Sequence, residues 1–382
     1  MRIGIISGEY PPMQGGVGAY SSILAETFHR QGHHVAVLSS SGARSSDPAI
    51  PLMTASGWNP GTLLGIRQWA RNERLDLINL QYQTAAFGMS PFIHFIPDSV
   101  PIPTVTTFHD LRYPYLFPKA GAARTWIVNR MARMSAGAIA TNHEDEIPLR
   151  VLTTTALIPI GSNIRAPQPD ATSRLRQRKQ WRLGRDQFII GYFGLMNHSK
   201  GLDILLTSLR ALLDADIPAL LLLIGGGLGS SDPTNAEFMR GFNAQIADLR
   251  LEQAILATGY LEADEAVAAG LTACDVIALP FADGASYRRG SLMAALQYGC
   301  PIVTTQPTVP IPIFDSGDCV RLIPRGDAAA LTAALRDLHA QPAERERLGA
   351  NASTTSSAFD WEQIASAQVG FFERILQKAV RK

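Results

Sequence analysis

The chain opens on an apolar run, Arg2-Ile3-Gly4-Ile5-Ile6-Ser7, which Glu9-Tyr10-Pro11-Pro12 breaks off. Gly15-Gly16-Val17-Gly18 reads as a flexible loop, 19–30 as an amphipathic helix, Gly32 as its stop and His34-Val35-Ala36-Val37-Leu38 as a second strand. Strand, glycine loop, helix, stop and strand make one βαβ unit. The alternation continues with strands predicted over 75–80, 104–108, 136–141 and 156–159 and helices over 60–72 and 122–134. From 162 to 183 it lapses into prolines and a polar, arginine-rich stretch. It resumes at Phe188-Ile189-Ile190-Gly191-Tyr192-Phe193-Gly194, then helix 202–214 and strand 219–224, with Gly225-Gly226-Gly227 behind it. Helices over 235–249, 264–272 and 291–298 alternate with strands over 254–258, 275–280 and 301–305, and a long amphipathic helix over 361–378 closes the chain. Repeated βα units predict an α/β protein with parallel sheets covered on both faces. Two halves of similar design join near residue 165. Ligands of such sheets bind at the carboxyl ends of the strands, and a cleft between two domains is a preferred small-molecule site.

Composition narrows the classes. A length of 382 residues exceeds one ordinary core, and 46% apolar residues suffice to build two. A formal net charge of +1 and the lack of any Lys/Arg-rich run give no field for nucleic acid. Cys274, Cys300 and Cys319 are odd in number and form no C-x-x-C pair, which fits a reducing compartment and carries no metal signature. The chain runs straight into a strand with no signal-peptide pattern and has no stretch of about 20 apolar residues. A cytoplasmic protein is expected.

The candidate chemistry lies in loops that follow strands. Free N–H groups at the first glycine loop and the dipole of the helix behind it favour an anion, although the spacing is not that of a dinucleotide fingerprint. Lys200, in Gly194-Leu195-Met196-Asn197-His198-Ser199-Lys200-Gly201, stands near a helix start, where a cation is favourable only if it holds an anion. Asp283-Gly284-Ala285-Ser286-Tyr287-Arg288-Arg289-Gly290-Ser291 combines small residues, two arginines suited to phosphate and an N-cap candidate, Ser291. His109-Asp110 follows the strand over 104–108, where a histidine can bond a sugar hydroxyl or polarise a reacting group. Glu144-Asp145-Glu146 reads as a solvated helix start. Nucleophile-elbow, zincin and Walker motifs are lacking.

In order along nearly the whole chain, these blocks resemble glycosyltransferase family 4. The blocks are Glu9-Tyr10-Pro11-Pro12 with Gly15-Gly16-Val17-Gly18, Phe108-His109-Asp110, Pro159-Ile160-Gly161 and Gly194 through Lys200-Gly201. They continue with Thr258-Gly259-Tyr260, Ala273-Cys274-Asp275-Val276, Gly299-Cys300-Pro301-Ile302-Val303 and Phe359-Asp360-Trp361. The resemblance implies the GT-B fold of two facing Rossmann-like domains: an acceptor-side domain over 1–165, a donor-binding domain over 166–358, and a crossover helix over 359–382 returning to the first domain. It implies a retaining hexosyltransferase that moves a sugar from a nucleotide-diphosphate donor, a UDP- or GDP-sugar, to a hydroxylated acceptor, with no cofactor and no metal.

Carried over by position, Lys200, Gly15 and Gly16 would contact the diphosphate and His109 the donor sugar; Asp110, Tyr82 and Gln83 are expected at the donor sugar or the acceptor. Gln81-Tyr82-Gln83 and Tyr113-Pro114-Tyr115 are candidate acceptor loops. Two departures stand out. Leu195 replaces the family arginine, and the family's pair of glutamates is missing, with Ser286 and Ala294 at the places counted back from Gly299. Asp283 is the candidate replacement for the first acid, and Arg288 or Arg289, with Ser291 beside them, for the missing positive charge. A catalytically silent GT-B protein that binds a sugar nucleotide or a partner enzyme is the alternative. The helix bearing Arg124, Trp126, Arg130 and Arg133 leaves peripheral contact with the inner membrane face open, although its few basic residues favour a simple solvated helix.

Overall fold

The structure, a computed structural model, describes residues 1–13, 15–45, 47–111, 121–225, 234–316 and 318–380. The expected acceptor loop at Tyr113-Pro114-Tyr115 and the glycines Gly226 and Gly227 lie outside the described residues. The chain divides into two units, Met1–Asn163 with Phe359–Lys382, and Ile164–Ala358.

The first unit begins β1 (Arg2–Ser7), α1 (Gly16–Arg30), β2 (His34–Ser40), β3 (Leu52–Ala55), α2 (Pro60–Asn72) and β4 (Leu77–Tyr82). It continues with α3 (Ile96–Ser99), β5 (Thr104–Phe108), α4 (Gly121–Met134), β6 (Gly137–Ala140), α5 (His143–Leu152) and β7 (Thr155–Leu157). The second unit runs α6 (Ala171–Gln180), β8 (Phe188–Phe193), α7 (Leu202–Asp214), β9 (Ala219–Ile224), α8 (Thr234–Asp248), β10 (Ile255–Ala257) and α9 (Asp264–Ala273). Then come β11 (Val276–Leu279), α10 (Gly290–Gln297), β12 (Ile302–Thr305), α11 (Pro312–Asp315), β13 (Arg321–Ile323), α12 (Ala328–Ala340) and α13 (Pro342–Ser356). The last helix, α14 (Trp361–Val380), belongs to the first unit.

Both sheets are parallel throughout, ordered β3-β2-β1-β4-β5-β6-β7 and β10-β9-β8-β11-β12-β13. Each order reverses once, between β1 and β4 in the first sheet and between β8 and β11 in the second. Chains leave the two strands at such a switch point in opposite directions and open a crevice at their carboxyl ends. Alternating side chains feed two cores in the first unit. Ile3, Ile5, Val35 and Val37 pack under α1 and α14 with Phe28, Phe371 and Phe372; Ile6, Leu38, Ile78 and Leu80 pack on the other face with Ile66, Trp69 and Met131. α14 is tied in by polar contacts as well: Trp361 Nε1–H donates to the Ser162 carbonyl (2.6 Å) and Gln368 Nε2–H to the Tyr20 hydroxyl (2.6 Å).

The polar stretch read as a break contains α6. Asp170 caps it, its carboxylate accepting from the Ser173 N–H at 2.6 Å. Two of its arginines turn inward: Arg174 and Arg178 both reach the buried carboxylate of Asp275, at 2.6 and 3.3 Å, and Asp275 also accepts from the Ile189 N–H at 2.7 Å. The glycine loop differs too. α1 starts at Gly16, so Gly16, Val17 and Gly18 form its first turn. Glu144-Asp145-Glu146 is not a solvated start: Asp145 and Glu146 are buried. Asn142 caps α5 and binds Asp145 (2.7 Å), and Glu146 pairs with Arg150 (2.5 Å).

Candidate functional site

In the second unit the switch point is occupied by the two loops that carry the expected phosphate ligands. The loop after β8 ends in a single turn of 3-10 helix, His198–Lys200, capped by the Asn197 side chain, which accepts from Ser199 N–H at 3.0 Å and Ser199 Oγ–H at 2.8 Å. Gly201 then takes a left-handed conformation (φ 65°) and caps α7. A Cβ at Gly201 would lie 1.9 Å from the Pro280 carbonyl oxygen, so the turn presses directly on the loop after β11. The Ala282 N–H donates to the Ser199 carbonyl at 3.0 Å and locks the two loops together.

That lock brings Lys200 against Phe281, Asp283, Arg288 and Arg289. Lys200 Nζ lies 5.2 Å from the centroid of the buried Phe281 ring, and the Arg289 guanidinium lies 4.6 Å from the same ring. Both arginines are ion-paired with Asp283, Arg288 at 3.3 Å and Arg289 in closer contact. Burial lowers the pKa of Lys200 to about 8, and Arg289 and Arg288 push the same way against the opposing pull of Asp283. Lys200, Arg288 and Arg289 thus stand together around Asp283 at the carboxyl ends of β8 and β11. An anion placed there gains from all three charges, with no long side chain left to order.

Ser291 is not the N-cap. α10 begins at Gly290 with Arg289 at the cap position and no side-chain cap bond. Gly290 and Ser291 therefore supply first-turn N–H groups, which helix geometry leaves without intrahelical acceptors. Gly194 backs onto Ser291, with a Cβ at that glycine only 3.7 Å from Ser291 Cβ. Leu195, in place of the family arginine, is 57% exposed and carries no charge. Ser286 and Ala294, at the places of the family glutamates, are buried.

In the first unit, the loop leaving β1 returns on itself. Glu9 places its carboxylate at the start of α1, accepting from the Gly18 N–H, and burial raises its pKa above the ordinary carboxylate range against that bond. Gly15 has no side chain to cap α1; Glu9 does so from outside the helix. A Cβ at Gly15 would lie 1.7 Å from Glu9 Oε2, which explains the glycine. Gly16 is different: nothing lies within 4 Å of where its Cβ would be. The loop is thus half filled by the chain's own carboxylate and half open, with the open half at Gly16. Glu9 belongs to the Glu9-Tyr10-Pro11-Pro12 block, and its role at the helix start is legible there. Its signal was an acid shortly before a helix whose N-cap is glycine.

His109 sits at the end of β5. Its Nε2 is 2.9 Å from Gln81 Oε1, its ring meets the Tyr20 edge at 4.7 Å, and burial pushes its pKa down to about 3. Asp110 follows, partly exposed. Tyr82 and Gln81 are interior residues rather than loop residues. Tyr82 is buried with its hydroxyl 2.7 Å from Thr84 Oγ1 and 3.1 Å from His94 Nε2, and Gln81 is fully buried in β4. Strand β4 runs two residues further than its sequence pattern indicated and takes both in. Gln83, the first residue beyond it, is partly exposed.

On α4, Trp126 is 58% exposed, whereas Arg130 is held by Asp98 in a forked pair (2.6 and 3.1 Å) over Phe95. The Arg124 side chain lies outside the described part of the helix. Among the described residues no group of three or more His, Cys, Asp or Glu is arranged to hold a metal, and no helix is long and apolar enough to cross a membrane.

Two doubly wound parallel sheets, each with its loops gathered at a switch point, place the chain in the GT-B fold class. The model described as Glycosyltransferase Family 4 matches residues 14–146, and that described as Glycosyl transferases group 1 matches residues 173–355. The chain belongs to glycosyltransferase family 4. A phosphatidyl-myo-inositol mannosyltransferase of Mycobacterium leprae (strain TN) is 25% identical over 98% of this chain and 97% of its own. Among solved structures, sucrose-phosphate synthase from Thermosynechococcus elongatus superposes with a TM-score of 0.78 at 22% identity, covering 99% of this chain and 100% of that one. Anabaena HepE, solved with UDP and glucose, superposes with a TM-score of 0.77 at 19% identity, covering 98% and 99%.

Proposed function

We propose that this glycosyltransferase moves a hexose from a nucleotide-diphosphate sugar, a UDP- or GDP-sugar, to a hydroxyl acceptor, with retention at the anomeric carbon and without a metal. The observation that carries the reading is the Lys200–Arg288–Arg289 cluster at the β8/β11 switch point. Breaking the bond to the anomeric carbon places new negative charge on the leaving diphosphate. Fixed cations at its oxygens stabilise that charge more than the ground state, and so accelerate the step. In this reading Lys200, Arg288 and Arg289 hold the diphosphate with the N–H groups of Gly290 and Ser291. Asp283 acts by holding the two arginines, rather than by touching the sugar. Gly16 offers a further N–H to phosphate, and His109 meets a hydroxyl of the donor sugar. Gln83 and Asp110, both partly exposed, are read as contacts to the donor sugar or the acceptor.

The ligands named in the HepE structure and the mannosyl transfer named for the mycobacterial relative support the donor class. We place the protein in the cytoplasm, and the exposed Trp126 on a helix that also bears Arg133 supports contact with a lipid surface from the side. The test is to incubate the full chain with a panel of UDP- and GDP-sugars, with and without hydroxylated acceptors, and to measure free nucleoside diphosphate. Release with at least one donor is expected. Binding of UDP or GDP without turnover of any donor would leave the silent sugar-nucleotide-binding protein as the correct account.

A further inference from the structure

The polar groups beneath His109 form a chain whose direction can be read from one end. Asn79 Nδ2 lies 3.2 Å from the Val105 carbonyl oxygen and 2.9 Å from Thr107 Oγ1. A backbone carbonyl can only accept, so the amide atom facing it must be the nitrogen. Asn79 Oδ1 is therefore on the other side, where it faces the Gln81 amide and must accept from Gln81 Nε2–H. That fixes Gln81 in turn: its oxygen, Oε1, is the atom 2.9 Å from His109 Nε2. An amide oxygen only accepts, so His109 Nε2 must carry the proton. Every group in this chain below the histidine is fully buried, so no water competes for the bonds.

We infer that Asn79 and Gln81 are positioning residues that hold His109 as the Nε2–H tautomer, with a bare lone pair on Nδ1. Burial of the ring disfavours the imidazolium, which leaves Nδ1 an acceptor through the neutral range. Nδ1 has no hydrogen-bond partner among the described residues. Its partner in use must then be an O–H or N–H donor. A sugar hydroxyl satisfies it; a carboxylate or carbonyl oxygen would face lone pair to lone pair. This assignment of the sugar contact rests on the proposed function, whereas the tautomer does not.

The experiment is long-range 1H–15N NMR of the full chain labelled with 15N-histidine at pH 7, with His109→Gln to assign the resonance. A protonated Nε2 and an unprotonated Nδ1 are expected; an Nδ1–H tautomer or a doubly protonated ring overturns the inference. Gln81→Leu removes the accepting oxygen at similar volume. A detectable Nδ1–H population and a roughly tenfold loss of kcat/KM for the donor are expected. A folded Gln81→Leu protein that keeps the pure Nε2–H tautomer would contradict a positioning role. The wild-type spectrum needs no buried substitution at Gln81 and decides the tautomer even if that variant does not fold. It also separates the two proposals. Nε2–H without turnover of any sugar nucleotide sinks the function and leaves the relay; turnover with Nδ1–H sinks the relay and leaves the function.

Discussion

Lys200 carries the largest share of the argument at the scale of single residues, because it stands beside Arg288 and Arg289 where the loops after β8 and β11 meet. Lys200→Ala removes a donor that acts on the departing diphosphate. It should lower transfer by about a hundredfold or more, with a thermal midpoint close to wild type, since among the described residues the lysine makes no ion pair. Near wild-type turnover in steady-state assays would remove Lys200 from the diphosphate site. Arg288→Ala and Arg289→Ala should each weaken donor binding by roughly tenfold or more, the worth of a charge-assisted hydrogen bond. Unchanged donor affinity in both, by calorimetry, would show that they serve only Asp283. Lys200 was legible in the sequence because glycines bracket it at a strand–helix junction. The role of Asp283 was not, because pairing across five and six residues of loop depends on where Arg288 and Arg289 turn back. Asn79 and Gln81 were legible in part: residues two apart in a strand share a face, and two amides on one buried face need partners. The shifted end of β4 hid them by making Gln81 look like loop.

At the scale of elements, two joints hold the second site in shape. The first is Asp275, where α6, β8 and β11 meet. Asp275→Ala leaves Arg178 largely buried beside no anion and orphans the Ile189 N–H. A loss of about 3 kcal/mol in denaturant unfolding is expected, less than for a fully buried pair because Arg174 is partly solvated. A change within 0.5 kcal/mol would mean that α6 is not fastened there. The second joint is Gly201. Ala at this position pays for a left-handed backbone and collides with the Pro280 carbonyl. Gly201→Ala should cost about 2 kcal/mol or more and lower donor affinity by shifting Lys200. Loss of stability with donor affinity unchanged would separate Gly201 from the site. α6 escaped the sequence reading because it is polar on most of its surface and carries no apolar stripe. Its helical signal is the Asp170 cap, and what it packs with is a carboxylate 101 residues away from Arg174.

At the scale of the whole molecule, the βα alternation and the near-neutral charge were readable, and with them two parallel sheets. Strand order was not, because hydrophobic pattern gives each strand's faces but not its neighbours. The order winds outward from β1 and from β8 in both directions. That order is what places the loop of Lys200 beside the loop of Asp283, although 83 residues of sequence separate them. The consequence is a pH dependence of the intact protein. In the free state Lys200 loses its proton near pH 8; a bound diphosphate raises that value, because the added negative charge favours the ammonium. Below pH 8 the lysine is charged in both states and affinity is level. Above it, binding must take up a proton, and affinity falls by up to tenfold per pH unit until the bound form also titrates. The most direct measurement is therefore the affinity of UDP and GDP for wild type and Lys200→Ala between pH 7.5 and 10, by titration calorimetry in buffers of different ionisation enthalpy. The expected result is tight-binding wild type that weakens above pH 8 with proton uptake, and a weaker Lys200→Ala variant with no such slope. Affinity that is flat across this range in wild type, or identical in the variant, would contradict a diphosphate site built on Lys200.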